Sequence, residues 1–255
     1  MKRFTLSLFV IFLIATLYGC GPKGDPKETL ESYYTNVINA NYDAAYALLS
    51  ETDRKATSKD DFALFMRLNA ELYKLNATEV KEAEKNGETV VFEVTEKQHS
   101  YTEEKDKSHT YKRSVVVENG EWKVFADKKY SETITSLQDS IGWLYIEGRG
   151  GKKKSLNEAA KWFNDAINRD SSYYQSNYGL SVAYIQLERY DDAMSAANKY
   201  VSSSTEKSEQ SIGYNVIGLC YEAKKDTQKA KESYQKAIEL DPSNEYAKTN
   251  LNRQK

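Results

Sequence analysis

The chain is short of the residues that punctuate, staple or metallate a fold. Only 3 prolines and 12 glycines occur among 255 residues, which argues against long disordered linkers. Cysteine and histidine number 2 each. No paired carboxylate, metal-ligand cluster or nucleophile–base arrangement stands out, so no catalytic residue, metal or cofactor is assigned and the chain is not read as an enzyme. Lysine plus arginine (36) nearly balance aspartate plus glutamate (38). Without a clustered basic stripe, nucleic-acid binding is disfavoured. The apolar run Phe4 to Leu17 falls short of the roughly 20 residues that a spanning helix needs. What is present is ordinary for a globular body: 40% hydrophobic and 29% charged residues, with a high count of 20 tyrosines. The length leaves room for two modest domains.

The strongest pattern lies near the end. Tyr214, Ile217, Gly218, Tyr221, Ala230, Tyr234, Ala237 and Pro242 follow the spacing aromatic-x2-L-G-x2-Y…A-x3-F…P. This stretch resembles a tetratricopeptide repeat, a pair of helices that buries its apolar face only by stacking on neighbours. Gly218 inside a helix costs about 0.8–1.0 kcal/mol against alanine, so a neighbouring helix is expected to approach closely there. Asp226 is placed to cap the second helix, and Asp241-Pro242 to end it. Cys220 sits between Leu219 and Tyr221 and reads as a small core hydrophobe.

At the other end, Lys2 and Arg3 precede the apolar run, and Leu17-Tyr18-Gly19-Cys20 follows. A short apolar run behind a positive start is a targeting signal. Its end resembles the lipobox of bacterial lipoproteins, with Tyr18 bulkier than the residue usual at its position. The resemblance implies that residues 1–20 are a lipoprotein signal, that Cys20 carries acyl chains, and that Cys220 has no disulfide partner. The implied location is the cell envelope, lipid-anchored on the outer face of a bacterial membrane, at the cell surface or in the periplasm. An ordinary signal peptide or an uncleaved anchor is the alternative. Residues 21–24 read as a flexible tether.

Residues 25–127 read as an α+β domain of three helices followed by a curled antiparallel sheet. Asp25-Pro26 opens the first helix, Asn41-Tyr42-Asp43 the second and Ser58 the third. Val90, Phe92 and Val94 then alternate with Val91, Glu93 and Thr95, the period of a strand. Asn86-Gly87 and Asn119-Gly120 mark hairpin turns. The charged stretch Glu96 to Lys107 is expected to form a long exposed loop, with His99 and His109 facing solvent. This order, the NYDAAYALL phrase and the closing ENGEWKV hairpin are similar to the nuclear transport factor two-like fold, a cone whose sheet wraps a helix. Its interior is expected to be filled by its own Tyr, Phe and Trp122 side chains. A small-molecule binder, or an enzyme, using the cone pocket is the alternative function.

Residues 131–255 read as an all-α array of three repeats closed by a capping helix. Ile141-Gly142-Trp143-Leu144-Tyr145, Gly148 to Gly151 and the run from Leu156 resemble the Sel-one-like variant, whose helical pair has a longer loop. That glycine-rich loop lacks the register of a phosphate loop and is expected to be a solvated turn. Leu180, Tyr184 and Ala193 set a middle repeat, with Ser181 in place of the usual glycine and Tyr200 where a small residue is expected. Asn244 to Arg253 is the capping helix, with Tyr246, Ala247 and Leu251 on one face. The tetratricopeptide register places Trp143, Ile146, Tyr178, Val182, Ile185, Asn215 and Leu219 in a peptide-binding groove. The family's carboxylate clamp for acidic tails is missing, since Asp139 and Ser140, Tyr178 and Gly179, and Asn215 and Val216 stand at the matching places. The functional expectation is a membrane-tethered, exported scaffold that binds a protein or peptide. The competing expectation is that the groove is filled by the chain's own helices or the neighbouring domain.

Overall fold

The computed structural model describes residues 21–254. The leader and Cys20 lie outside the described residues.

Asp25 caps α1 (Pro26–Ile38), accepting hydrogen bonds from the backbone N–H groups of Lys27 (2.8 Å) and Glu28 (3.0 Å). Pro26 fills the first helical position, where a missing N–H costs nothing. After α2 (Tyr42–Ala47) comes a short helix, α3 (Glu51–Ala56), so among the described residues four helices open the α+β unit rather than the expected three. Ser50 caps α3, and the buried Asp53 carboxylate accepts from the Ser50 hydroxyl (2.6 Å) and the Ala126 N–H (2.8 Å). Ser58 caps α4 (Lys59–Leu72).

Four antiparallel strands follow as a meander, β1 (Tyr73–Asn86), β2 (Thr89–Ser100), β3 (Lys105–Glu118) and β4 (Glu121–Phe125). Gly87, Asn119 and Gly120 take the positive φ that the tight turns demand. Val90, Phe92 and Val94 on β2, Val115 on β3 and Val124 on β4 are fully buried and meet Leu30, Phe62 and Leu72 from α1 and α4. The wrapped helices and the sheet therefore form one α+β unit.

Two expectations are corrected here. The charged stretch Glu96 to Lys107 is a hairpin, with only residues 101–104 in its turn; Glu96 pairs with His109 and His99 with Asp106. Charge does not forbid a ladder when opposite signs face each other, and His99 Nδ1 lies 2.8 Å from the Asp106 carboxylate. His99 is half-buried against Tyr101, whereas His109 is exposed. The tether is also held in part: the Lys23 N–H donates to the Gly120 carbonyl at 2.8 Å, covering some of the free edge beside β4.

A 3-10 turn (Tyr130–Thr133) leads into seven helices arranged as an array. These are α5 (Ile134–Glu147), α6 (Leu156–Arg169), α7 (Gln175–Gln186), α8 (Tyr190–Ser203), α9 (Lys207–Ala223), α10 (Thr227–Leu240) and α11 (Glu245–Arg253). Ile134, Ile141 and Leu144 of α5 are buried in the same core as the sheet, so the first repeat helix packs into the α+β unit. The glycine-rich loop is solvated at Gly148, Arg149 and Gly151, as expected, but docks on the sheet through Gly150. Gly150 is buried, its N–H donates to the Glu104 carboxylate at 2.8 Å, and Arg149 donates to the Thr102 carbonyl at 3.0 Å. A side chain at Gly150 would place its Cβ 2.8 Å from Tyr101 Cβ, which explains the glycine. Arg169 with Asp61 (2.7 Å) and Lys152 with Glu71 add ion pairs across the same junction.

Candidate functional site

Close helix–helix packing sets the geometry of the array. The Phe163 ring of α6 is wedged against Gly142 of α5 and Gly179 of α7; a Cβ on Gly142 would stand 2.7 Å from its Cε1. Tyr234 of α10 fills the same role against Gly218. In the degenerate middle repeat, Ser181 is buried and turns its hydroxyl to the Tyr178 carbonyl at 2.6 Å. The close approach there falls on Gly179, two residues earlier. Gly213 on α9 makes room for α8, since an added Cβ would lie 2.3 Å from Val201 Cγ2 and 3.2 Å from the Tyr200 ring.

This packing brings the first helices of each pair, α5, α7 and α9, side by side. Trp143 and Tyr178 meet with ring centroids 5.7 Å apart, and Tyr178 continues onto Tyr200 at 5.5 Å. Trp143, Tyr178, Val182, Ile185 and Leu219 are all half-buried, neither free in solvent nor sealed. Two of the residues assigned to the groove are committed elsewhere. Ile146 is buried with Ala159, Phe163 and Leu180 in the repeat core. The Asn215 side chain accepts a hydrogen bond from Asn250 at 2.8 Å, so α11 occupies its place. Tyr246 also departs from expectation: α11 buries Ala247 and Asn250, and leaves Tyr246 80% exposed.

An acid borders the aromatic pair. Asp139 lies one turn before Trp143 on α5 and accepts from the Ser176 hydroxyl at 2.7 Å. Burial pushes its carboxyl above the ordinary aspartate value, while Ser176 and the Trp143 indole favour the charged form. Burial likewise raises the Tyr178 hydroxyl, and the Tyr246 hydroxyl adds to that. Beneath the strip, Cys220 is fully buried and desolvation pushes its thiol up to about 11, which leaves it a packing residue.

Residues 174–206 and 211–244 each match the sequence profile of the tetratricopeptide repeat. The helical half of the chain is a tetratricopeptide-repeat array. The array is similar to the Hsp70-Hsp90 organizing protein of Triticum aestivum, with 34% identity over 94 residues, 37% of this chain and 16% of that protein. It is also similar to the heat shock protein STI1 of Saccharomyces cerevisiae, with 32% identity over 99 residues, 38% of this chain and 16% of that one. The chain thus spans about a sixth of the curated relatives it matches. Among solved structures, the first repeat domain of Spaghetti (RPAP3) bound to the HSP90 peptide SRMEEVD superposes with a TM-score of 0.41 and 22% identity. That match covers 47% of this chain and 89% of the other. The Arabidopsis OM64 repeat domain gives a TM-score of 0.42 at 18% identity, covering 48% and 93%.

Proposed function

We propose that the protein is a non-enzymatic adaptor that recruits a protein partner by holding an extended, apolar segment along α5, α7 and α9. The observation that carries this is the half-buried strip of Trp143, Tyr178, Val182 and Leu219 on the first helices of successive tetratricopeptide repeats. Aromatic anchors in partly desolvated sites commonly carry most of the energy of an interface. The repeat matches and the named relatives, one of them an Hsp70-Hsp90 organizing protein, favour a protein or peptide as the partner class. The partner segment is not an acidic tail. Where a clamp would need a cation, α5 offers Asp139, and a second carboxylate beside it would add repulsion in a site already short of water.

The adaptor is further proposed to be exported and tethered by lipid on Cys20, on the strength of Lys2, Arg3, the run Phe4 to Leu17 and the Leu17-to-Cys20 ending. Several acyl chains, each methylene contributing about 0.8 kcal/mol, would hold it firmly. The α+β unit, similar in element order to the nuclear transport factor two-like cone, then stands between membrane and array.

Photo-crosslinking from native membranes tests the adaptor reading. A photoreactive residue in place of Val182 or Leu219 is expected to capture one partner, while the same group at the exposed Gln235 on α10 captures none. Capture from Gln235 alone contradicts the proposed face. Cys20→Ser should move the protein out of the membrane fraction, and a wild-type protein found soluble on fractionation removes the tether from the account.

A further inference from the structure

The interior of the α+β unit is not filled by its own side chains, contrary to expectation. Trp122, Phe92, Val90 and Val115 close one end, and beyond them a cavity of about 630 Å³ opens between α1, α4 and the inner face of β1 to β3. That volume lies within the range of small-molecule pockets, roughly 300–1,000 Å³. Its walls are apolar where Val37, Phe65, Met66 and Leu75 face it.

Two cations line this space, Arg113 half-buried in its wall and Lys128 exposed at its mouth. Arg113 on β3 and Lys128 after β4 both line the cavity, and neither makes an ion pair among the described residues. The alternation that buries Val115 points Arg113 to the same inner face. One end of its guanidinium is fixed, with Nη1 donating to the Ala126 carbonyl at 2.5 Å and its carbon 5.0 Å from the Tyr111 ring centroid. Its Nε is buried and has no hydrogen-bond partner. Lys128 Nζ stands 4.3 Å from the Phe65 ring centroid and 5.4 Å from that of Tyr130. Ring faces attract a cation, but they do not replace an anion. Burial and then the field of Arg113 depress the Lys128 amine, with Glu96 opposing them to a lesser degree.

Glu96 is the only carboxylate among the described residues lining this cavity, and it makes no ion pair with Arg113 or Lys128. The Tyr111 hydroxyl donates to it, and the Tyr34 and Tyr111 hydroxyls lie 2.7 Å apart. Lys74 also lines the rim, so the titratable lining carries more positive than negative charge. A buried donor left unpaired, as Arg113 Nε is, is expensive.

We propose that the cavity is a binding site for an organic carboxylate, whose anionic group meets the cavity-facing guanidinium of Arg113 and the Lys128 amine while its apolar body lies against Phe65, Met66 and Val37. A charge-assisted hydrogen bond from guanidinium to carboxylate supplies orientation as well as affinity. The apolar wall selects against small hydrophilic acids. This site is separate from the repeat strip, and its occupancy does not rest on the adaptor reading.

Calorimetric titration of the protein tests the assignment with four probes: decanoate below its micellar concentration, 2-naphthoate, decanol and acetate. Saturable binding is expected for decanoate or 2-naphthoate, and which of the two is tighter shows whether the body is aliphatic or aromatic. Decanol should bind at least tenfold more weakly than decanoate, and acetate should give no signal. Lys128→Met should weaken the carboxylate tenfold or more. Arg113→Met should do the same, with Arg113→Lys restoring part of the loss; far-UV circular dichroism establishes that each variant is folded. Should an Arg113 variant not fold, Lys128→Met alone decides. Equal binding of decanol and decanoate, unchanged affinity in Lys128→Met, or no binding by either carboxylate overturns the proposal.

Discussion

Asp139 is an acid held where water is scarce, and its position reports on what the repeat strip favours. Its carboxyl is raised by burial, so the folded chain holds the proton more tightly than the unfolded chain does. In the window between the ordinary aspartate pKa and the raised one, folding takes up a proton, and stability falls as pH rises through it. Asp139→Asn keeps an acceptor for the Ser176 hydroxyl and removes the charge. The variant is expected to melt higher than the parent at neutral pH, with the difference closing as the solution is acidified below the ordinary aspartate range. Thermal melts across that range check it; a variant less stable at neutral pH would show that the ionised group is needed in place. The register of the repeats made Asp139 visible as the residue standing where a clamp needs a cation. Its bond to Ser176 was not visible, because it joins two helices of different repeats. The fate of Asn215 was hidden for the same reason, since its partner Asn250 belongs to α11.

At the scale of the element, the array is held by aromatic rings set against glycine. Gly218→Ala would drive a methyl into the Tyr234 ring, whose hydroxyl is fixed to Glu222 at 2.6 Å and so cannot swing away freely. Overpacking of this kind costs about 1–3 kcal/mol, against about 1 kcal/mol gained in helix propensity. A net loss of stability is expected in urea titration of Gly218→Ala. A gain would show that the helices there have room to part. The spacing of Tyr214 to Pro242 makes this contact legible in the sequence, since a glycine that weakens its own helix, in register with an aromatic, marks a close approach. The room that Gly213 gives to Val201 and Tyr200 is not legible in the sequence, because the glycine falls in the next helix and outside the repeat pattern. The hairpin of β2 and β3 escaped for a different reason. Its far half has no apolar alternation, and its ladder is supported by the His99–Asp106 pair and by the Arg149 and Gly150 contacts at the turn.

For the whole molecule, the junction is where local sequence reading reaches its limit. Composition and period divide the chain near residues 127–131, yet Ile134, Ile141 and Leu144 of α5 lie in one core with Leu30, Phe62 and Val94. The sheet and the first repeat therefore support each other. Ile141→Ala, which removes fully buried methyl groups, should cost about 2–5 kcal/mol. It should lower the melting of sheet and helical signals together, followed by near-UV and far-UV circular dichroism. Unfolding of the helical signal with the sheet signal unmoved would show two independent bodies.

The central claim is that the strip along α5, α7 and α9 reads an extended apolar segment and rejects an acidic one. Fluorescence anisotropy of labelled peptides against the protein measures this directly. One peptide set carries aromatic and aliphatic side chains with a basic residue, and a matched set ends in glutamate and aspartate. The account predicts that the apolar, basic set binds at least about tenfold tighter, which corresponds to about 1.4 kcal/mol, and that Leu219→Ala weakens it without lowering the melting temperature. Tighter binding of the acidic set, or binding of the apolar set unchanged by Leu219→Ala, would contradict it.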